Sequence, residues 1–135
     1  MKTCGIDLKS NDAIVVCLDG DPTHSKLIAT ETKRISLKDP YDQKEVQIFQ
    51  QKIAAFLNRH GIEKVGIKER ATKGKFAGGS VSFKMEGLIQ NCNIPVIIVH
   101  VRTIKAKLKD VQTRAEIKLN AYQKDACDLA FFLLL

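Results

Sequence analysis

"KTCGIDLKSNDAIVVCLDG", Lys2 to Gly20, sets the reading of the fold. Cys4, Ile6 and Leu8 alternate with Thr3, Gly5 and Asp7, the period of a strand. Ser10, Asn11 and Asp12 read as a tight turn, and "AIVVCLDG" as a second strand, so the two make a hairpin. Asp7 points away from Cys4, Ile6 and Leu8. A carboxylate inside an otherwise apolar strand is unusual and needs a partner.

Outward from the hairpin, "DGDP" (Asp19–Pro22) breaks the pattern. A third strand is expected within Lys26 to Leu37, rich in Ile, Thr and Leu. "DPYD" (Asp39–Asp42) is a turn and a helix start. Val46, Phe49, Ile53, Phe56 and Leu57 then recur at helical spacing, with Lys44, Glu45, Gln51, Lys52 and Arg59 opposite. Gly61 is a stop just past that helix.

"IEKVGIKER" (Ile62–Arg70) reads as a strand ending near Glu69, and "ATKGKFAGGS" (Ala71–Ser80) as a loop with Ser80 as N-cap. Val81 to Cys92 is expected to be a second helix. "PVIIVHV" (Pro95–Val101) is a continuous apolar run of the kind found in buried strands. A short basic helix is expected around Ile104 to Lys109, and a last helix from about Gln112 to the end. The order is β-β-β-α-β-α-β-α. It predicts an α/β fold, a mixed five-stranded sheet with helices on both faces, spanning residues 1–135 as one domain.

Composition bounds the classes. The apolar and charged fractions are those of a soluble globular protein. There is no apolar run of roughly 18 residues, so no membrane partner is expected. The start, "MKTCGIDLKS", has an early Asp and no long apolar stretch, unlike a signal peptide, and the expected location is cytoplasmic. Cys4, Cys17, Cys92 and Cys127 form no CxxC pair and read as buried reduced thiols. His24, His60 and His100 make no HExxH-type pattern.

The net charge of +7 favours a polyanionic partner. Lys64, Lys68, Arg70, Lys73, Lys75 and Lys84 have only Glu69 among them before Glu86. Arg102, Lys105, Lys107, Lys109, Arg114 and Lys118 form a second basic stretch. Two solvated faces would account for both stretches equally well. "KGKFAGGS" is not a P-loop, because the order GxxxxGK[ST] is absent. Its glycines could let backbone approach phosphates, with Lys73 and Lys75 in contact and Phe76 stacked on a base. Phe76 packed on the core is the plainer alternative.

"QKDACDLAFFLLL" (Gln123–Leu135) carries Asp125 and Asp128 on one face of a helix, three residues apart in an apolar segment. With the first strand central and the fourth beside it, Asp7, Glu69, Asp125 and Asp128 could converge at one end of the sheet. Each has an ordinary alternative: a turn cap for Asp7, ion pairs with Lys68 or Arg70 for Glu69, and with Lys124 or another base for the last two.

"CGIDLK" with Asp7, "VGIKER" with Glu69 and "KDACDLAFFLLL" with Asp125 and Asp128 resemble the RNase H-like superfamily, and within it the RuvC-type Holliday junction resolvases. "GGSVSFKMEGLIQ" is similar to the helix after the acidic strand, and "IPVIIVHVRTIKAKLK" to the following strand and basic helix. "TKGKFAGGS" also resembles the "PKGKFAGG"-like loop of a small uncharacterised bacterial family of this fold. The resemblance implies a nuclease acting on structured DNA or RNA with Mg²⁺ or Mn²⁺. Asp7, Glu69, Asp125 and Asp128 would be both the metal ligands and the catalytic set, and Asp7 would bridge two ions. Lys73, Lys75, Phe76 and Lys84 would be the nucleic-acid contacts.

Two hard cations roughly 3.5–4 Å apart can activate a water and stabilise the leaving oxygen of a phosphodiester. The resemblance also implies a homodimer, and the terminal "FFLLL" would be core or dimer interface. This chain is shorter than a typical resolvase between Arg102 and Gln123 and in the loop after Glu69, where substrate contacts lie. A non-catalytic nucleic-acid-binding module with the same fold is the alternative. Sugar kinases and actin-like ATPases share the fold but need two such domains.

Overall fold

The first two strands, β1 (Lys2–Lys9) and β2 (Asp12–Gly20), form the expected hairpin, paired from Lys2↔Asp19 to Lys9↔Asp12. Ser10 makes the turn at φ +53°, in the left-handed region. The computed structural model describes residues 1–70, 79–109 and 118–135. Strands β3 (Ser25–Leu27) and β4 (Arg34–Ser36) follow, then helix α1 (Gln43–Arg59), β5 (Lys64–Lys68), α2 (Ser80–Gln90), β6 (Val96–Val99), α3 (Val101–Leu108) and α4 (Lys124–Phe132). The sheet order is β3-β2-β1-β5-β6, with β4 also on β2. β1 is central; β5 joins it in parallel and β6 joins β5 in parallel.

The sheet has six strands where five were expected, because the third strand comes in two pieces on the same edge of β2. Ile28 N–H donates to Cys17 O, and Val15 N–H to Lys33 O. The pairing shifts between Leu18↔Leu27 and Ala13↔Ile35. The extra residues bulge out of the ladder.

Both sheet faces are covered, so β1 and β2 are buried along nearly their whole length. Cys4, Ile6 and Leu8 meet Phe49, Ile53, Phe56 and Leu57 of α1, and Met85 and Ile89 of α2. Ile14, Val16 and Leu18 meet Ile104 and Leu108 of α3 and Ala126, Leu129, Ala130 and Phe131 of α4. Each large side chain so buried contributes roughly 1.5–3 kcal/mol. α1 is capped as its sequence predicts: the Asp42 carboxylate accepts from Lys44 N–H, and Gly61 follows the helix at φ +64°.

Three boundaries differ from expectation. α2 begins at Ser80 with Gly79 as its N-cap, and Ser82 Oγ donates to Gly79 O. β6 is an edge strand, with Ile97 and Ile98 36% and 38% exposed, because no further described strand pairs with it. It ends at Val99, and His100 caps α3 by accepting from Arg102 N–H. Among the described residues the last helix starts at Lys124, after a single 3-10 turn over Ala121–Gln123; the expected start near Gln112 lies outside the described residues. Of the terminal apolar run, Phe131, Leu133 and Leu134 are core. Cys4, Cys17 and Cys127 are buried and Cys92 is half-buried.

Candidate carboxylate site at the end of the central strands

Two glycines position the site. Gly5 of β1 and Gly66 of β5 are register partners, and α4 lies directly on them. A Cβ on Gly5 would stand 1.9 Å from Ala126 O; one on Gly66 would stand 3.0 Å from Leu129 Cδ1. The absence of a side chain at Gly5 lets helix backbone rest on strand backbone, and its absence at Gly66 makes room for the Leu129 and Leu133 side chains. Thr3 Oγ1 donates to Ala130 O at 2.8 Å and locks the far end. The helix therefore runs antiparallel to β1, and its first turn hangs over the C-terminal ends of β1 and β5. Asp7 lies two residues past Gly5, Lys68 two past Gly66, and Asp125 one before Ala126, so alternation brings all three to that spot.

Asp7 is fully buried, and neither carboxylate oxygen accepts a hydrogen bond. Its nearest cation is Lys9 Nζ, 3.5 Å from Oδ2. That is an ion-pair distance without hydrogen-bond geometry, and the Lys9 side chain is half exposed. A buried ionised group so weakly compensated is costly. Lys68 Nζ donates to Asp125 Oδ2 at 2.8 Å. That bond holds the Asp125 carboxyl below its usual range; partial burial opposes it, and the charges of Lys68, Lys9 and Lys105 reinforce it. Lys9, the ion-pair partner of Asp7, thus also acts on Asp125.

The other expected ligands lie differently. Glu69 is exposed, and its N–H donates to Val99 O, one step past the β5–β6 ladder. Its charge, after burial, pushes the Glu86 carboxyl of α2 upward. Asp128 is half-buried one turn along α4 from Asp125 and engages a partner of its own. Among the described residues, no three or more His, Cys, Asp or Glu side chains are grouped so as to hold a metal ion. Lys73, Lys75 and Phe76 lie outside the described residues. Lys84 is exposed on α2, and its ammonium donates to Pro40 O.

The resemblance read from the motifs implies a divalent cation. Asp7 fits one: hard oxygens, buried, with no donor satisfying them. The sequence offered Lys68 as a partner for Glu69 and assigned Lys9 no role; the structure pairs Lys68 with Asp125 and Lys9 with Asp7. Lys9 and Lys68 each sit two residues beyond a position already assigned to the α4 side, and strand alternation carries that signal. Arg70 Nε is a further buried group without a hydrogen-bond partner.

The model of a family described as "Protein of unknown function (DUF3010)" matches residues 1–133. No curated protein matches the chain. Among solved structures, the chain is similar to Thermus thermophilus RuvC, with TM-score 0.73, 15% identity, and 97% of this chain and 92% of that one covered. It is also similar to T. thermophilus RuvC in complex with a Holliday junction substrate, with TM-score 0.68, 15% identity, and 97% and 90% covered. For the Fowlpox virus resolvase with its substrate Holliday junction DNA the TM-score is 0.52, the identity 21%, and the coverage 99% and 94%. The RNase H-like, RuvC-type fold expected from the motifs is the fold of this chain.

Proposed function

We propose that this chain, which belongs to the DUF3010 family of unknown function, is a divalent-metal-dependent nuclease that hydrolyses phosphodiester bonds in structured DNA or RNA. The observation that carries the reading is Asp7: a fully buried carboxylate at the end of the central strand with no hydrogen-bond donor. The RuvC-type fold and the net charge of +7 add support.

Asp7 would hold Mg²⁺ or Mn²⁺, with Glu69, Asp125 and Asp128 as the further ligands that the resemblance implies. When bound, the ion supplies Lewis-acid activation of water and stabilises the leaving oxygen. Lys9, at the mouth of the site, and Lys105 of α3 would draw the phosphate in. Lys73, Lys75 and Lys84 are proposed for backbone contact outside it, and Phe76 for stacking on a base. The chain is proposed to act as a homodimer in the cytoplasm.

The test is a cleavage screen over four-way junction, flap, duplex, RNA–DNA hybrid and single strand, with Mg²⁺, Mn²⁺ or EDTA. Cleavage that needs the metal and is lost in Asp7→Asn is the expected result. Binding without cleavage of any substrate, equal in wild type and Asp7→Asn, would overturn it.

A second reading has its own observation. Lys68 and Lys9 already neutralise the two carboxylates. A non-catalytic nucleic-acid-binding module would need no metal, and its affinity would fall steeply with salt.

A further inference from the structure

We propose that the Lys68 ammonium stands in for a second divalent ion beside Asp125, so that the chain takes a single ion, on Asp7. The inference rests on the nuclease reading and narrows it from two-metal to one-metal chemistry.

The two lysines of the site differ. Lys9 is half exposed and 3.5 Å from Asp7 Oδ2, without hydrogen-bond geometry. Its side chain is a tether that an entering ion displaces at little cost. Lys68 is mostly buried and bonded to Asp125 Oδ2 at 2.8 Å. Charge-assisted bonds of that length are the strong ones. Lys68 is also held by the fold. It lies two residues beyond Gly66, on the strand floor that carries α4, and next in register after the Ile6↔Ile67 pair. Its ammonium is therefore built into the site.

An ion on Asp125 Oδ2 would compete with that ammonium for the same oxygen. Asp7 offers the opposite situation, two buried oxygens with no donor at all. The charges agree with this division. One divalent ion offsets the two carboxylates, and the Lys68 ammonium then faces the single negative charge of a phosphodiester. A second divalent ion would add two further positive charges beside the Lys68 ammonium. Ammonium is a compact point charge well suited to a position otherwise filled by a cation.

The experiment titrates MnCl₂ into the full chain, read by calorimetry and by the EPR signal of free Mn²⁺, for wild type, Lys68→Gln, Lys68→Arg and Asp7→Asn. Wild type is expected to bind one ion and Asp7→Asn none. Lys68→Gln is expected to gain a second ion, or to bind the first at least about tenfold tighter, because a neighbouring charge has been removed. Lys68→Arg keeps the charge and should match wild type; it also separates charge from packing if Lys68→Gln folds poorly. Two ions on wild type, or a Lys68→Gln titration identical to wild type, would overturn the one-ion inference and leave the nuclease reading standing. No binding to wild type or to Lys68→Gln would overturn both.

Discussion

An alanine at Gly5 would place its Cβ 1.9 Å from Ala126 O and 2.7 Å from Ala130 N. Both atoms are helix backbone, so no rotamer change relieves the clash. To restore ordinary contact α4 must lift by about 1.5 Å, and a gap of even ~0.5–1 Å forfeits a quarter to a half of the contact energy along the seam. Overpacking of this kind costs roughly 1–3 kcal/mol and occasionally more. Loss of the Thr3–Ala130 hydrogen bond adds about 1 kcal/mol. Together they predict destabilisation of up to about 4 kcal/mol.

With an unfolding entropy near 2.1 cal/mol/K per residue, that corresponds to a Tm lowered by roughly 10–15 °C. Urea unfolding followed by far-ultraviolet circular dichroism gives the free energy, and a thermal melt gives Tm. The same lift would pull Asp125 away from Lys68, so Mn²⁺ binding should change with stability. A cost below about 1 kcal/mol for Gly5→Ala would refute the seating of α4 on β1, and with it the juxtaposition of Asp7 and Asp125.

Gly87, inside α2, is the counterpart: a Cβ there meets nothing within 4 Å, so Gly87→Ala should stabilise the protein by roughly 0.5–1 kcal/mol in the same urea assay. Asp7→Asn removes a buried charge that accepts no hydrogen bond. In EDTA it should raise stability by about 1 kcal/mol, at the expense of metal binding; a clear loss would mean that the Lys9–Asp7 pair holds the strand end. The Asp125 carboxyl is held below its unfolded value, chiefly by the Lys68 hydrogen bond. Its contribution is therefore present above roughly pH 4 and is lost as pH falls through the lower folded value. Asp125→Asn should flatten the acid limb of the stability curve, modestly because the side chain is 45% exposed; an unchanged limb would argue against the pair.

Local pattern carried much of this molecule. The alternation of Cys4, Ile6 and Leu8, the turn at Ser10, and the spacing of Phe49, Ile53, Phe56 and Leu57 between Asp42 and Gly61 each reflect interactions a few residues long. They were legible without coordinates, as was the likeness of "CGIDLK" and "KDACDLAFFLLL" to the RuvC-type fold. What the sequence left open depends on partners far away along the chain. The break in the third strand comes from how residues 25–36 meet β2, and the exposure of Ile97 and Ile98 comes from the place of β6 at the sheet's edge. Lys68 and Asp125 are separated by 57 residues, and only the contact of α4 with Gly5 and Gly66 brings them to 2.8 Å. The sequence by itself determined which charges the chain carries and which strands and helices bear them. The tertiary structure decided which charge faces which, because a carboxylate's partner depends on packing between elements and not on its neighbours in the chain.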